Sequence, residues 1–279
     1  DKLGIPLDVD VINGVSTTIN GGNYAQGGSR VSNPIGVAND PSIGITTIPV
    51  TEQIDRLLAD SPSFTRNDLV ALWAGSNDGF VQFGTVAAGL ITPDTALAAM
   101  STAATELLAQ IDRLKAAGAQ NIVVITVPNL GVTPQAQIIE DGSVSGTAAP
   151  GSIALLNALS ASFNNTLTAA AASKGAVIVD SNRLLSAVIA DPARFGFTSP
   201  TPLQPACGDN GSTDPNNFFN SSLTCIQGIN AAADSEQRIF ADGVHPTAAA
   251  QRLFGEAGFA GLQAASLNGV LAVAPLTPI

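Results

Sequence analysis

Short apolar segments alternate with longer amphipathic segments along most of the 279-residue chain. This alternation predicts an α/β layer fold, in which helices cover a mostly parallel sheet. Two of the predicted strands are nearly uninterrupted apolar runs, as expected for strands that are buried on both faces. The predicted strands are residues 8–12, 69–74, 121–127 and 176–180, and the predicted helices are residues 51–58, 95–117, 152–173, 182–189 and 248–262.

Two stretches interrupt the alternation. Residues 195–230 are rich in Pro, Gly, Asn and Ser, and we interpret them as a long excursion outside the layered core. Residues 263–279 end in small apolar residues with two prolines, which is typical of a linker. The organisation that follows is one domain over residues 1–262 and a C-terminal linker over residues 263–279.

The only two cysteines, Cys207 and Cys225, both lie in the excursion. A disulfide between them would staple this long loop and would place the protein in an oxidising compartment. The alternative is a pair of free, buried thiols in a cytosolic protein.

Charge and composition exclude several classes of partner. The chain has 11 basic and 22 acidic residues and a net charge of −11, which repels the phosphates of nucleic acid. No apolar run reaches the roughly 18–20 residues of a membrane span. His245 is the only histidine, so the sequence offers too few ligands for a structural zinc site, and we expect no metal site.

Two polar segments offer hydrogen-bond donors to a ligand. Residues 22–29 contain paired glycines, whose backbone N–H groups a ligand can approach closely. Residues 75–79 follow a predicted strand directly, at the sheet edge where α/β folds bind ligands, and Asn77 can offer its amide there to an oxyanion. The alternatives are a glycine-rich turn without function and a strand-to-helix turn whose Asn and Asp cap the backbone.

A third polar segment, residues 242–247, contains a carboxylate three residues ahead of an imidazole. Asp242 can accept the imidazole N–H of His245, fix its tautomer and stabilise the imidazolium. Pro246 keeps His245 out of helical geometry, and Thr247 can cap the next helix. The alternative is a plain loop at the start of a helix.

Together, in order and residue type, these segments resemble signature blocks of the SGNH (GDSL) hydrolases, a family of serine esterases and lipases. Residues 23–29 resemble the second block, residues 75–78 the third and residues 242–247 the fifth, and the resemblance extends over residues 1–262. It implies a three-layer α/β/α sandwich with a mostly parallel, flavodoxin-like central sheet. It also implies an oxyanion hole formed by the Gly28 N–H and the Asn77 side chain, and a triad with Asp242 as acid and His245 as base.

The family's first block, Gly-Asp-Ser-Leu, which carries the nucleophilic serine, does not occur in the sequence. Residues 141–143 contain a swapped Asp-Gly-Ser, and the Asp-Ser pairs at 60–61, 180–181 and 234–235 follow the second block, which is the wrong order. The resemblance therefore implies that the first strand and its serine lie upstream of Asp1, and that the chain as given is incomplete as a catalyst. The missing N-terminal segment could be a separate, cleaved piece.

The expected activity is hydrolysis of small-molecule or lipid carboxylic esters without a cofactor. A non-catalytic surface or interaction domain, on an esterase scaffold that has lost its nucleophile, is the alternative. An extracellular or cell-surface location in a bacterium is favoured by the cysteines, the low lysine content and the acidic composition rich in small residues. A periplasmic location is the alternative. The C-terminal tail resembles that of autotransporter passenger domains.

Two further features bear on substrate and ligand. Four phenylalanines of the excursion, Phe195, Phe197, Phe218 and Phe219, could line an acyl pocket or anchor the loop. Because Trp73 is the sole tryptophan and is expected to be buried, we favour esters of short to medium acyl chains over polysaccharide acetyl groups. Residues 209–217 indicate a turn cluster more than a calcium site.

Overall fold

The computed structural model describes residues 11–12, 15–16, 22–37, 47–143, 147–207, 222, 225 and 231–267. It confirms the α/β class: a parallel sheet and seven α-helices lie within these ranges. In chain order the elements are β1 (Val11–Ile12), β2 (Val15–Ser16), α1 (Val50–Asp60), β3 (Leu69–Trp73), α2 (Ser76–Ala87), α3 (Pro93–Ala116), β4 (Asn121–Ile125), α4 (Pro134–Asp141), α5 (Ser152–Ala171), β5 (Ala176–Val179), α6 (Ser181–Ala190) and α7 (Ala248–Leu267).

The parallel sheet has the order β3-β4-β5. Leu69 is paired with Asn121, and Ile122 with Ala176, so β3 and β4 start at the same level and β5 starts one residue later. The central strand β4 is buried along nearly its whole length, as its apolar run predicts. β1 and β2 form a separate antiparallel pair, and residues 8–10 of the first predicted strand lie outside the described residues.

Trp73 corrects the expectation that its strand is buried on both faces. β3 alternates, with Val70 and Leu72 buried but Ala71 and Trp73 exposed, and Trp73 is 41% exposed. The physical reason is coverage: side chains of a strand alternate between its two faces, and only the face of β3 that carries Val70 and Leu72 is covered. An apolar run identifies a strand but does not show how many of its faces are covered.

Helix α3 shows why the amphipathic segments fold as predicted. Thr92 accepts the Thr95 N–H at 3.2 Å, Pro93 occupies the first turn, and Arg113 and Lys115 lie in the last turn. These are the residue types that stabilise helix ends. The apolar residues of the buried face repeat at three- and four-residue steps and are Ala96, Met100, Ala103, Ala104, Leu107, Leu108, Ile111 and Leu114.

The chain divides into two compact units. Unit 1 comprises residues 1–127, 161–179 and 258–279 and contains the parallel sheet with α1, α2 and α3. Within it, the C-terminal part of α7 approaches β5 so closely that a Cβ at Gly261 would lie 2.7 Å from Val177 Cγ1. A glycine at this position therefore allows the helix to pack on the strand.

Unit 2 comprises residues 128–160 and 180–257. Its core is built from α6, the first turns of α7 and the loops between them. Phe197, Ile239 and Phe240 are buried there, and Phe195 packs against the same cluster. The remaining buried members are Leu185, Val188, Ala250 and Phe254.

Two helices were not predicted from the sequence. α2 starts at a left-handed Gly75 without a side-chain cap and contains two further glycines, so it carries few helix signals. α4 does carry them, because Thr133 caps it, Pro134 occupies its first turn and Gly142 ends it in the left-handed conformation. In addition, α7 extends to Leu267, so residues 263–267 of the predicted linker are helical, and residues 268–279 lie outside the described residues.

We expect Gly75→Ala to destabilise the protein by about 3 kcal/mol. Gly75 has φ +106°, and a Cβ there would lie 2.6 Å from the ring of Phe163 and 2.8 Å from Val127, both fully buried. Gly89 is a matched control, since it also has a positive φ (+68°) but has no neighbour within 4 Å of an added Cβ. Gly89→Ala should cost only about 1 kcal/mol. Urea denaturation measures both values, and equal losses would contradict the steric argument.

Candidate active site

Gly28 lies in a turn that only glycine fits. Its φ is +79°, and an added Cβ would lie 2.5 Å from the Val37 carbonyl oxygen. The Gly28 carbonyl in turn accepts the Val37 N–H at 2.8 Å, which closes the loop on itself. Of the two adjacent glycines, Gly28 is the one that allows this tight turn, since a Cβ at Gly27 would meet nothing within 4 Å.

Buried side chains fix this loop to the start of α1. The Ser29 hydroxyl donates to the Ile48 carbonyl at 2.7 Å. The Gln53 amide donates both to that carbonyl, at 2.8 Å, and to the Ser29 oxygen, at 3.1 Å. Because all three residues are buried, their polar atoms need these partners, and the loop has little freedom to move.

Asn77 reaches the same loop from the other side. It is the second residue of α2, close behind the carboxyl end of β3, and its side-chain amide donates to the Ser29 carbonyl at 2.8 Å. The structure therefore brings Asn77 next to the Gly28 turn within unit 1. Their role as oxyanion donors stays a prediction.

An ion pair that the sequence did not reveal strengthens this arrangement. Asp78 is buried; its Oδ1 accepts from Arg30 Nε and its Oδ2 accepts the Val31 N–H, both at 3.0 Å. Burial raises the pKa of the Asp78 carboxyl, and the hydrogen bonds and the Arg30 charge only partly offset this rise. The available signal was Arg30 itself, one of 11 basic residues, placed directly after the glycine turn.

In unit 2, Asp242 and His245 form the predicted pair. His245 Nδ1 lies 2.8 Å from Asp242 Oδ2 and 3.0 Å from Oδ1. The Asp242 carboxylate is buried at 3% exposure, whereas the His245 side chain is 64% exposed. One ring nitrogen is thus fixed by a buried anion while the rest of the ring faces outward.

The electrostatics of the pair favour a charged imidazole. The Asp242 hydrogen bond raises the pKa of His245, against the opposing effect of burial. Burial alone would raise the pKa of Asp242. Hydrogen bonds outweigh this effect and lower the pKa well below its usual value; the donors are the His245 ring, the backbone N–H groups of His245 and Val244, and Ser222. Asp242 therefore stays ionised and stabilises the imidazolium.

Backbone hydrogen bonds hold the 242–247 loop in shape. The Ala241 N–H donates to the His245 carbonyl at 2.7 Å, and Phe240 and Pro246 form an antiparallel bridge. The Thr247 hydroxyl accepts the Ala250 N–H at 3.3 Å, as predicted for a helix cap, and donates to the Arg238 carbonyl. The loop is therefore a closed turn that presents His245 just before α7.

The Cys207–Cys225 disulfide is present, with the two Cα atoms 5.5 Å apart, and this confirms the predicted staple. The Cys207 N–H donates to the Ala241 carbonyl at 2.8 Å, next to Asp242. Near the other end of the staple, the Ser222 N–H donates to Asp242 Oδ2 at 2.9 Å. Nothing in the sequence pattern singled out Ser222.

The structure describes two of the four phenylalanines in residues 195–230. Phe197 is buried in the core of unit 2 and Phe195 packs against it, which fits the alternative that they anchor the loop. Phe218 and Phe219 lie outside the described residues, as does the acidic stretch 209–217. In the part of the chain that the structure describes, no three or more His, Cys, Asp and Glu residues are grouped to hold a metal ion. No helix within these ranges is long and apolar enough to cross a membrane.

The profile of the GDSL-like lipase/acylhydrolase family matches residues 1–257. This match covers nearly the whole chain and includes the Gly28–Asn77 region of unit 1 and the Asp242–His245 pair of unit 2. The chain belongs to the GDSL-like lipase/acylhydrolase family.

Curated relatives agree with this assignment. The chain is 28% identical over 254 residues to a protein in the trpE-trpG intergenic region of Pseudomonas putida, which covers 88% of this chain and 38% of the relative. It is 32% identical over 142 residues to the esterase EstA of Pseudomonas aeruginosa, and the matched region covers 50% of this chain and 19% of the relative. It is 25% identical over 282 residues to a GDSL esterase/lipase of Arabidopsis thaliana, and the matched region covers 90% of this chain and 69% of the relative. The chain thus spans less than half the length of the two bacterial relatives.

We expect Asp78→Asn to destabilise the protein by about 2–4 kcal/mol, because it leaves the Arg30 guanidinium without its anion in a largely buried site. Asp112, which pairs with Lys174 on the surface, is the matched control. Asp112→Asn should cost less than about 1 kcal/mol. Chemical denaturation of both variants checks the difference, and a negligible loss at Asp78 would show that the ion pair does not hold the loop.

Proposed function

We propose that the protein is a serine-type hydrolase of carboxylic esters, with Asp242 and His245 as two members of its triad. The observation that carries the proposal is the Asp242–His245 pair, in which a buried carboxylate holds Nδ1 of an exposed ring. We assign the nucleophile to a serine in a Gly-Asp-Ser segment upstream of Asp1, as the resemblance to the SGNH (GDSL) hydrolases implies.

The catalytic steps follow from the properties of this pair. Nε2 of His245 takes the proton of the serine hydroxyl while the serine oxygen attacks the ester carbonyl. Asp242 keeps the ring in the required tautomer and stabilises the imidazolium that forms. The imidazolium then returns the proton to the leaving alcohol, and water releases the acyl group by the same route.

The negative charge on the former carbonyl oxygen requires donors that are already in place. We assign this role to the Gly28 N–H and the Asn77 side-chain amide, with the N–H of the upstream serine as a third donor. A donor of this kind typically contributes about 3 kcal/mol to transition-state stabilisation. Support comes from the rigidity of the Gly28 turn, which the Asn77 hydrogen bond and the Arg30–Asp78 ion pair maintain.

The proposed substrates are small-molecule or lipid carboxylic esters. The relative from Pseudomonas aeruginosa is named an esterase, and that from Arabidopsis thaliana an esterase/lipase. We also propose that the protein is exported, as an extracellular or cell-surface protein that could be an autotransporter passenger, because its two cysteines form a disulfide. The proposed chemistry uses side chains and backbone N–H groups alone and needs no cofactor.

The competing function is a non-catalytic surface domain on the same scaffold, which the absent Gly-Asp-Ser motif favours. Labelling with a fluorophosphonate, which reacts with activated serines, separates the two. We expect the protein, expressed with its native upstream sequence, to be labelled on a serine that precedes Asp1.

His245→Gln should reduce this labelling at least a hundredfold, because the serine loses its base. Glu236→Gln, an exposed substitution in unit 2, should leave labelling unchanged. Mass spectrometry locates the adduct. An unlabelled but folded protein would overturn the hydrolase proposal in favour of the surface domain.

Activity should fall as the pH drops through the pKa of His245. The base must be neutral, and Asp242 raises its pKa, so the acid limb of kcat/KM should lie above the ordinary histidine value of about 6.5. In Asp242→Asn the neutral amide no longer stabilises the imidazolium, so the limb should move to lower pH as the rate falls. Asp112→Asn should leave the profile unchanged. An acid limb at the same pH in Asp242→Asn would show that the carboxylate does not tune His245.

A further inference from the structure

One donor to the Asp242 carboxylate comes from a distant part of the chain. Oδ1 accepts the N–H groups of Val244, at 2.9 Å, and His245, at 2.7 Å, both within the local turn. Oδ2, the oxygen nearer to His245 Nδ1, accepts the Ser222 N–H at 2.9 Å from a residue 20 positions earlier. The local turn thus fixes one carboxylate oxygen, and Ser222 holds the other.

The disulfide keeps Ser222 in place. On one side, the Ala206 and Cys207 N–H groups donate to the Phe240 and Ala241 carbonyls, so this strand segment runs beside the residues that lead into Asp242. On the other side, the Cys225 N–H donates to the Ser222 carbonyl, which places Ser222 one turn before the second cysteine. The Cys207–Cys225 bond joins the two sides.

We propose that Ser222 is a positioning residue for the Asp242–His245 pair, and that the Cys207–Cys225 disulfide holds it there. The inference rests on the proposed function only in taking this pair as part of the triad. In the oxidised protein the Ser222 N–H fixes Oδ2 toward the ring and keeps water away from a buried charge. Once the disulfide is opened, the contact is lost, and water solvates the carboxylate.

The physical consequence appears at His245. A solvated carboxylate interacts less strongly with the imidazolium, because water screens the charges. The pKa of His245 should therefore move down toward its ordinary value, and the ring should lose its fixed orientation. If the disulfide only limits the entropy of the unfolded chain, its loss should lower the stability of the protein and leave the pKa of His245 unchanged.

The test is a pH titration of the His245 ring by NMR, with its signals identified by their loss in His245→Gln. Ser222→Pro removes both the backbone N–H and the hydroxyl while keeping the disulfide. Ser222→Ala removes only the hydroxyl. The double variant Cys207→Ser, Cys225→Ser removes the staple, as does reduction by a dithiol, which gives two electrons and two protons to the cystine and closes to its own cyclic disulfide.

We expect a lower His245 pKa in Ser222→Pro, in the cysteine double variant and in the reduced protein. Ser222→Ala should show a smaller shift, because the N–H remains. Thr198→Ala, which removes a surface hydrogen bond to Gln237 in the same unit, should match the wild type. Circular dichroism and thermal melting confirm that each variant is folded. An unchanged His245 pKa in folded Ser222→Pro and in the folded double variant would overturn the proposal.

Kinetics on the protein with its native upstream sequence provide a second readout. Loss of the disulfide should lower kcat about tenfold with little change in KM, since a hydrogen bond to a charged group is lost away from the substrate. In the Asp242→Asn background, removal of the disulfide should have no further effect on kcat, because the group that it positions is already altered. If Asp242→Asn and removal of the disulfide each lowered kcat independently, so that the two factors multiplied in the combined variant, the proposal would be contradicted. If no form hydrolyses esters, the proposed function fails, and the NMR titration still decides the role of Ser222.

Discussion

A buried carboxylate needs hydrogen-bond donors, and the proposed site depends on how Asp242 obtains them. Its oxygens accept N–H groups from Val244, His245 and Ser222, as well as the His245 ring. Because an unmatched anion in this position would be very unfavourable, the local turn, the bridge to residue 246 and the Ser222 contact all serve the same buried charge. The same requirement that stabilises the loop also orients the imidazole.

Unit 1 uses a second buried carboxylate in a similar way. Asp78 holds the loop after Gly28 through the Arg30 side chain and the Val31 N–H, while Asn77 holds it through the Ser29 carbonyl. The balance of effects differs, since burial dominates at Asp78 and raises its pKa, whereas hydrogen bonds dominate at Asp242 and lower its pKa. The adjacent residues Asn77 and Asp78 thus hold the same loop by different means, Asn77 with a neutral amide donor and Asp78 with a charged acceptor.

The sequence predicted best those elements whose signals are local and redundant. The ends of α3 carry a capping threonine, a proline and basic residues, and its apolar stripe repeats at the helical period, so its bounds were predicted to within two residues. β4 was recognised from its apolar run alone. α2 was missed because it starts at a left-handed glycine without a side-chain cap and contains two further glycines, so its segment carries few helix signals.

For the candidate site, the sequence by itself determined the residue types and their order: a glycine turn, an Asn-Asp pair after a strand, an Asp three residues before a histidine, and two cysteines in one loop. Short-range geometry follows from such spacing, because a carboxylate three residues away can fold back onto the imidazole. Only the tertiary structure decided that Arg30 pairs with Asp78, that Ser222 donates to Asp242 and that Trp73 is exposed. These contacts join residues far apart in the chain or depend on which neighbours a strand has, and neither is encoded in a local pattern.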